Sequence, residues 1–387
     1  MKKLLFVCYG LGIGGIEKCL VNLINVMPED EFDIDVLLMH PEYDLKPQIT
    51  RNVRYLDPFQ YVMTTTDTMH EINEHGGVIR NLPKFLSYCV FRGIVKMRLS
   101  GAWKMFRPLE TEYDIAIAYS QNDYSPYYVI DKVKAKKKAF WYHNGAYEQP
   151  KKAYKRDKAY YPRFDYVVAV SSDCAKVLNE KFRFKKDALI VLRNICDVER
   201  IAVQAEAFFP ESYSKGVIHI ATVGRLTVEK GADLAVDVCK RLIDEGYPIK
   251  WHWIGDGNQR EQVEKRITVN NLQNVFLLEG NQSNPYPFVK NCDIYVQPSY
   301  YEAYSTTVTE ARVLKKPIVT TDVGGMRDQI TDGVNGYIVP IDAKAITETI
   351  GRLISDNKNR TTTSDYLAHS TIDNNHSLEK YYTTVFK

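Results

Sequence analysis

In the middle of the chain, Val217-Ile-His-Ile-Ala-Thr-Val-Gly224 restarts the pattern with which the chain begins, where Leu4–Cys8 runs into Gly10. In both places a short, β-branched apolar run meets a glycine and then a helical pattern. Short apolar runs bounded by turn residues read as buried strands, and strands alternating with helices read as parallel sheets covered on both faces. The candidate strands in the first half are residues 4–8, 34–39, 53–56, 115–119, 139–142, 166–170 and 189–192. In the second half they are 217–223, 249–254, 275–278, 294–297, 317–320 and 337–339. The expected architecture is α/β, with two Rossmann-like, doubly wound parallel-sheet domains. A chain of 387 residues accommodates two. We expect them at residues 1–193 and 216–365, with an irregular linker at 194–215.

Composition excludes several classes. With 45% hydrophobic and 26% charged residues the chain is not disordered, and no run approaches the roughly 20 apolar residues of a spanning helix. Met1-Lys2-Lys3-Leu4-Leu5-Phe6-Val7 begins like a secretory signal. Its apolar stretch is short, however, and enters Gly10-Leu-Gly-Ile-Gly-Gly15 with no small-x-small site, so a buried first strand is expected. The seven cysteines are scattered without a Cys-x-x-Cys pair, which fits reduced thiols in a cytosolic protein and neither a disulfide framework nor a zinc site. The histidines show no ligand spacing, so no metal site is expected.

The net charge of +3 conceals an asymmetry. Residues 78–109 carry seven Lys/Arg and no acid, and residues 132–163 carry eleven Lys/Arg against two acids. The remainder is net acidic, so an anionic partner is expected on the first domain. Residues 81–98 read as a helix with Pro83 in its first turn. Leu82, Leu86, Cys89, Val90 and Met97 share one side; Arg80, Lys84, Arg92, Lys96 and Arg98 fall mostly on the other. Such a stretch either lies on an anionic membrane surface or packs on the sheet with a solvated basic face.

Five motifs can carry chemistry. Gly10-Leu-Gly12-Ile-Gly14-Gly15-Ile-Glu17 satisfies G-x-G-x-x-G between a strand and a helix, where backbone N–H groups can approach an anion. A dinucleotide site also needs an acid at the end of the second strand. That strand ends Leu38-Met39-His40-Pro41, and Glu42 is late. Val223-Gly224-Arg225-Leu-Thr-Val-Glu-Lys230-Gly231 follows a strand, and Arg225 and Lys230 can converge on a diphosphate. Pro298-Ser-Tyr-Tyr-Glu302 through Glu310 forms E-x7-E, with Glu302 in a loop and Glu310 in a helix that starts near Ser305, Thr306 and Thr307. The free N–H groups of that first turn favour a phosphate by about 0.3–2 kcal/mol, and the two carboxylates can accept sugar or ribose hydroxyls. Phe140-Trp-Tyr-His143-Asn144-Gly145 ends a first-domain strand. Thr321-Asp-Val-Gly324-Gly325 follows a strand and is expected to precede a helix, and Asp332-Gly-Val-Asn335-Gly336 reads as turns.

Together these residues resemble the retaining glycosyltransferases of family 4, of the bacterial surface-polysaccharide type, which have the GT-B fold. The resemblance rests on Gly224-Arg225-Leu226, Lys230-Gly231, Ile254-Gly255-Asp256-Gly257, Gly280, Gln297-Pro298-Ser299, Glu302 to Glu310, Gly324-Gly325 and Asn335-Gly336. In the first half, Gly14-Gly15-Ile-Glu17-Lys18 resembles the family's N-terminal loop. The resemblance implies two domains facing a cleft, with the C-terminal segment 366–387 packing back on the first. It implies an acceptor-binding first domain and a nucleotide-sugar-binding second domain. Arg225 and Lys230 would hold the donor pyrophosphate, with Gly280, Ser305, Thr306 and Thr307 beside it. Glu310 would bind the ribose, Glu302 and His143 would contact the donor sugar, and Gly14 and Gly15 would line the phosphate side. Ala303-Tyr304-Ser305 stands where the family often has Gly-Phe-Gly, which leaves the sugar open.

The implied activity is metal-independent, retaining transfer of a hexose or N-acetylhexosamine from a UDP-sugar to a glycan acceptor. No separate cofactor is implied. Asp33-Ile-Asp35 is not a metal motif, because it precedes the second strand at the wrong sheet edge. The acceptor would be polyprenyl-diphosphate-linked and the protein peripheral at the inner face of the plasma membrane. The competing readings are a nucleotide-dependent oxidoreductase, which leaves Arg225, Lys230 and both glutamates unexplained, and a non-catalytic glycosyltransferase-like partner. Nucleic-acid binding is disfavoured by the absence of a motif for it.

Overall fold

From Leu4 to Cys8 every side chain of the first strand is buried, as a strand covered on both faces requires. In the computed structural model, which describes residues 1–64, 68–97, 101–121, 123–356, 366–367 and 378–387, this strand lies inside a seven-stranded parallel sheet. The strands are β1 (Lys2–Cys8), β2 (Phe32–Leu38), β3 (Arg54–Leu56), β4 (Glu112–Ala118), β5 (Lys134–Tyr142), β6 (Tyr166–Ala169) and β7 (Leu189–Val191). Their order is β3-β2-β1-β4-β5-β6-β7. A second parallel sheet has the order β10-β9-β8-β11-β12-β13. It is built from β8 (Ile218–Val223), β9 (Ile249–Ile254), β10 (Phe276–Gly280), β11 (Ile294–Gln297), β12 (Ile318–Thr321) and β13 (Tyr337–Val339).

Each expected strand is present, and the two doubly wound sheets are the expected α/β fold. The largest difference is β5, which starts at Lys134, not Ala139. Its lysine-rich beginning pairs with β4 and is held by its long side chains: Lys136 pairs with Asp114 at 2.7 Å and Lys138 Nζ donates to Ile130 O at 2.9 Å. Asp33 and Asp35 lie within β2, not before it. Asp35 is buried and accepts from Arg54 and from Tyr113 Oη, a structural role.

The chain divides into two compact units, with the second beginning at Cys196. Residues 194–215 are not an irregular linker throughout. Val198–Gln204 is a helix capped by Asp197, whose carboxylate accepts from Arg200 N at 3.0 Å. Ile201 and Ala205 pack with Tyr286 of the second unit. At the other end, the described residues from Leu378 onward join the first unit. Tyr381 packs on Trp141 with ring centroids 5.9 Å apart, Tyr381 Oη donates to Arg193 O at 3.0 Å, and Phe386 packs on Phe32. The expected boundary at 365/366 lies at the edge of the undescribed residues.

The basic helix runs Leu82–Lys96, and Arg98 lies outside the described residues. Of the two readings of this stretch, packing of Leu82, Leu86, Cys89, Val90 and Met97 on the sheet is not what the structure has: Tyr88 and Phe91 are buried instead, and those five are exposed. Lys84 is not part of a solvated basic face. Its ammonium donates to Val62 O at 3.0 Å and to Phe59 O at 2.5 Å, and burial lowers its pKa to about 8. Among the described residues no helix is long and apolar enough to cross a membrane.

Candidate functional site

In the second sheet β8 and β11 are neighbours, β9 lies on the far side of β8, and β12 on the far side of β11. The connections leaving β8 and β11 therefore diverge. In open α/β sheets ligands bind outside the carboxyl ends of strands at such a switch point. The Arg225–Lys230 loop follows β8 and the Glu302 loop follows β11.

Glycines allow the first loop to be built. Gly255 N donates to Gly280 O at 2.8 Å and Gly224 N to Ile254 O at 3.0 Å, aligning the ends of β8, β9 and β10. A side chain on Gly255 would bring its Cβ within 2.1 Å of Gly224 O. Gly280 has φ +71° and open space around it. The loop closes through Gly231, at φ +69°, where a Cβ would stand 2.0 Å from Pro298 O. This close approach brings the two loops together. Tyr300 N then donates to Glu229 O at 2.9 Å, and Lys230 Nζ lies 2.7 Å from Glu302 Oε1.

Glu302 is only 6% exposed. Its Oε1 accepts from Lys230, from Ser299 Oγ at 2.9 Å and from Gln297 Nε2 at 3.4 Å. The bonds converge on one oxygen, which leaves Oε2 to accept from a ligand hydroxyl. Gln297 is itself fixed by Tyr295 Oη at 2.7 Å and Thr307 Oγ1 at 3.0 Å, both donating to its Oε1.

The next helix is Thr306–Val313, capped by Ser305 Oγ, which accepts from Val308 N. Helix geometry leaves the Thr306 and Thr307 N–H groups without intrahelical acceptors. Gln329, with its amide oriented to satisfy both ends, donates to Ser305 O and accepts from Ser305 N, each at 2.8 Å. Glu310, one turn along, is also buried and accepts from Tyr286 Oη at 3.2 Å. Burial, reinforced by Glu310, pushes the Tyr286 phenol well above its ordinary pKa, so it serves as a donor. The Gly324-Gly325 segment enters turns, not the expected helix. Gly325, at φ +74°, presses that turn against Ala303, whose carbonyl oxygen would stand 1.9 Å from a Cβ.

The structure therefore brings Lys230, Glu302, Ser305, Thr307 and Glu310 together at the ends of β8 and β11, with Gly280 two strands away at the end of β10. Arg225 is outside it: the side chain is 69% exposed and its contact is Glu229, at 3.5 Å. Tyr286 was not singled out from the sequence, because no local pattern in Asn284-Pro-Tyr286-Pro signals a partner for a glutamate 24 residues on.

His143, Gly14 and Gly15 belong to the first unit. His143 directly follows β5, is buried, and has Nε2 3.1 Å from Tyr119 O. Burial lowers its pKa to about 4, so the ring is neutral, donates through Nε2 and keeps Nδ1 as an acceptor. Gly14 caps the helix Gly15–Val26. The Glu17 carboxylate stands where a Gly14 side chain would be, with Oε2 2.1 Å from the Cβ position. Glu42 returns over Gly12 in the same way, its Oε2 2.7 Å from the Cβ position. The sequence reading had set Glu42 aside as too late. The chain doubles back after β2, with His40 N donating to Tyr9 O and Leu11 N to Glu42 O. The carboxylates of Glu17 and Glu42 thus both stand beside the backbone of the Gly10–Gly15 loop.

Two family models match the chain. The one described as Glycosyltransferase Family 4 covers residues 13–200, and the one described as Glycosyl transferases group 1 covers residues 203–369. A capsular polysaccharide biosynthesis glycosyltransferase, CapM, of Staphylococcus aureus is 32% identical over 146 residues, 37% of this chain and 38% of the relative. An N-acetylgalactosaminyltransferase of Campylobacter jejuni, named for a diphospho-undecaprenol substrate, is 25% identical over 52% of this chain and 53% of the relative. The chain thus aligns with about half or less of these curated relatives' lengths. Among solved structures, Anabaena Alr3699/HepE in complex with UDP superposes with a TM-score of 0.73 at 15% identity, covering 99% of both chains. Staphylococcus aureus TarM in complex with UDP and glycan ligands gives 0.71 at 13% identity, again over 99% of both.

Proposed function

We propose that the chain is a GT-B glycosyltransferase, since two glycosyltransferase family models match its successive halves, and that it transfers a hexose or N-acetylhexosamine from a UDP-sugar to a glycan acceptor, with retention of anomeric configuration. The observation that carries this reading is the pair of buried carboxylates, Glu302 and Glu310, on either side of a helix start, with Lys230 bound to the first of them. Glu310 would accept from the ribose hydroxyls. The Thr306 and Thr307 amides and Arg225 would face the diphosphate, and Glu302 Oε2 would accept from the sugar. His143, neutral and offering Nδ1, would accept a further sugar hydroxyl.

Glycosyl transfer passes through an oxocarbenium-like state and expels a diphosphate. The site's task is to stabilise the departing negative charge with fixed cations and amides, a role in which one donor is worth about 10²–10³ in rate. Lys230 and Arg225 supply that charge, and the reaction we propose is metal-independent. The phosphates are assigned to the second unit alone, since Glu17 and Glu42 oppose them at the Gly14-Gly15 loop. The acceptor is proposed to be polyprenyl-diphosphate-linked, in cell-surface polysaccharide assembly at the inner face of the plasma membrane. The names of the Staphylococcus and Campylobacter relatives support this reading.

The test is UDP release from a panel of UDP-sugars, with the product anomer read by proton NMR. One UDP-sugar should be consumed, its α-anomeric configuration should persist in the product, and EDTA should leave the rate unchanged. Loss of activity in EDTA with recovery on adding a divalent ion would contradict metal independence. An inverted product would contradict retention.

A further inference from the structure

The helix Leu82–Lys96 buries Tyr88 and Phe91 and turns its second apolar stripe to solvent. Leu82, Leu86, Val90 and Met97, with Ile79 just before the helix, form a ridge whose members range from 49% exposed at Leu82 to 92% at Ile79. At 1.5 Å per residue the part from Leu82 to Met97 is about 22 Å long. Scattered exposed apolar residues need no explanation, whereas a row along one helix face marks an interaction surface. Arg80, Arg92 and Lys96 are exposed beside it, and Arg92 is steadied over the Tyr88 ring at 5.7 Å. From residue 78 to 109 there is no acid.

We infer that this ridge docks the protein onto an anionic lipid bilayer, its apolar side chains entering the headgroup–acyl boundary and Arg80, Arg92 and Lys96 meeting lipid phosphates. An apolar strip flanked by cations, with no acid on its own helix, matches that surface on both counts. A second copy of the chain matches only the first. A two-fold contact along the ridge would bring two basic helices together, and like charges across an interface are repulsive. The inference rests on the proposed function for its purpose, access to a lipid-linked acceptor, and on the ridge for its chemistry. Lys84, bound to the Phe59 and Val62 carbonyls, takes no part.

The experiment is co-sedimentation of the full chain with phosphatidylcholine vesicles, with and without about 30% phosphatidylglycerol, at about 0.1 M salt. Wild type should sediment with the anionic vesicles and far less with phosphatidylcholine alone. The double variant Leu86→Ser/Val90→Ser should bind at least about tenfold more weakly. Arg92→Gln/Lys96→Gln should weaken binding about fivefold per charge removed. All four positions are exposed, and UDP-dependent thermal stabilisation of each variant reports that the second unit is intact. Wild type remaining in the supernatant, or undiminished sedimentation of the Leu86/Val90 variant, overturns the inference. So does self-association that the Leu86/Val90 variant abolishes without any vesicle binding, which would give the ridge to a second copy. UDP stabilisation without vesicle binding sinks the docking surface alone. Vesicle binding without UDP stabilisation supports the surface and removes the transferase reading.

Discussion

Gly231→Ala should destabilise the second unit by about 3–5 kcal/mol and abolish donor binding, placing it among the most damaging single substitutions the chain can carry. Two effects add. The residue sits at φ +69°, where a Cβ costs roughly 1–2 kcal/mol. That Cβ would also lie 2.0 Å from Pro298 O and 3.0 Å from Pro298 C. Backbone cannot swing aside as a flexible side chain can, so the Pro298–Glu302 loop must move away from Lys230. Gly246→Ala is the control. It has the same left-handed conformation, φ +85°, with nothing within 4 Å of the added atom, and should cost only the roughly 1–2 kcal/mol of backbone strain. Chemical denaturation of the two variants beside wild type measures the difference. Similar losses for both would show that the two loops do not make the close approach described above.

Lys230→Ala should reduce turnover by roughly 10²–10³-fold and stability by about 3 kcal/mol. The stability loss arises because Glu302, 7% exposed in its side chain, keeps its charge after its 2.7 Å partner is gone. The two effects separate in a double variant. Adding Glu302→Gln to Lys230→Ala removes the stranded carboxylate, so the double variant should be more stable than Lys230→Ala alone while remaining inactive. Strict additivity of the two stability losses would show that the pair is not coupled.

Much of this architecture was legible because strands covered on both faces are continuous apolar runs, and both sheets are of that kind. The Glu302–Glu310 segment was legible because a strand, a loop and a Ser/Thr-rich helix start follow one another in order. The helix Leu82–Lys96 left two readings open because it carries two apolar stripes. The one with Tyr88, Phe91, Ile94 and Val95 packs against the core and so takes the inside. Lys84 points to that inner side, and its carbonyl partners, 22 and 25 residues earlier in the chain, leave no local mark. Glu42 was missed for a related reason. Its relation to Gly10 and Gly12 comes from a chain reversal after β2 held by backbone bonds, which residue identities do not encode. Val198–Gln204 was passed over as linker because it is only seven residues long, with Ile201 and Ala205 its anchors.

The most direct test of the central claim is a thermal-shift panel with UDP, GDP, ADP, NAD and several UDP-sugars on wild type and on Arg225→Ala. A ligand at about 100 times its dissociation constant stabilises the folded state by about 2.7 kcal/mol. The second unit's site predicts stabilisation by UDP or one UDP-sugar, diminished in Arg225→Ala, whose exposed guanidinium leaves the fold itself intact. Stabilisation by NAD alone would contradict the account and assign the nucleotide to the Gly10–Gly15 loop of the first unit.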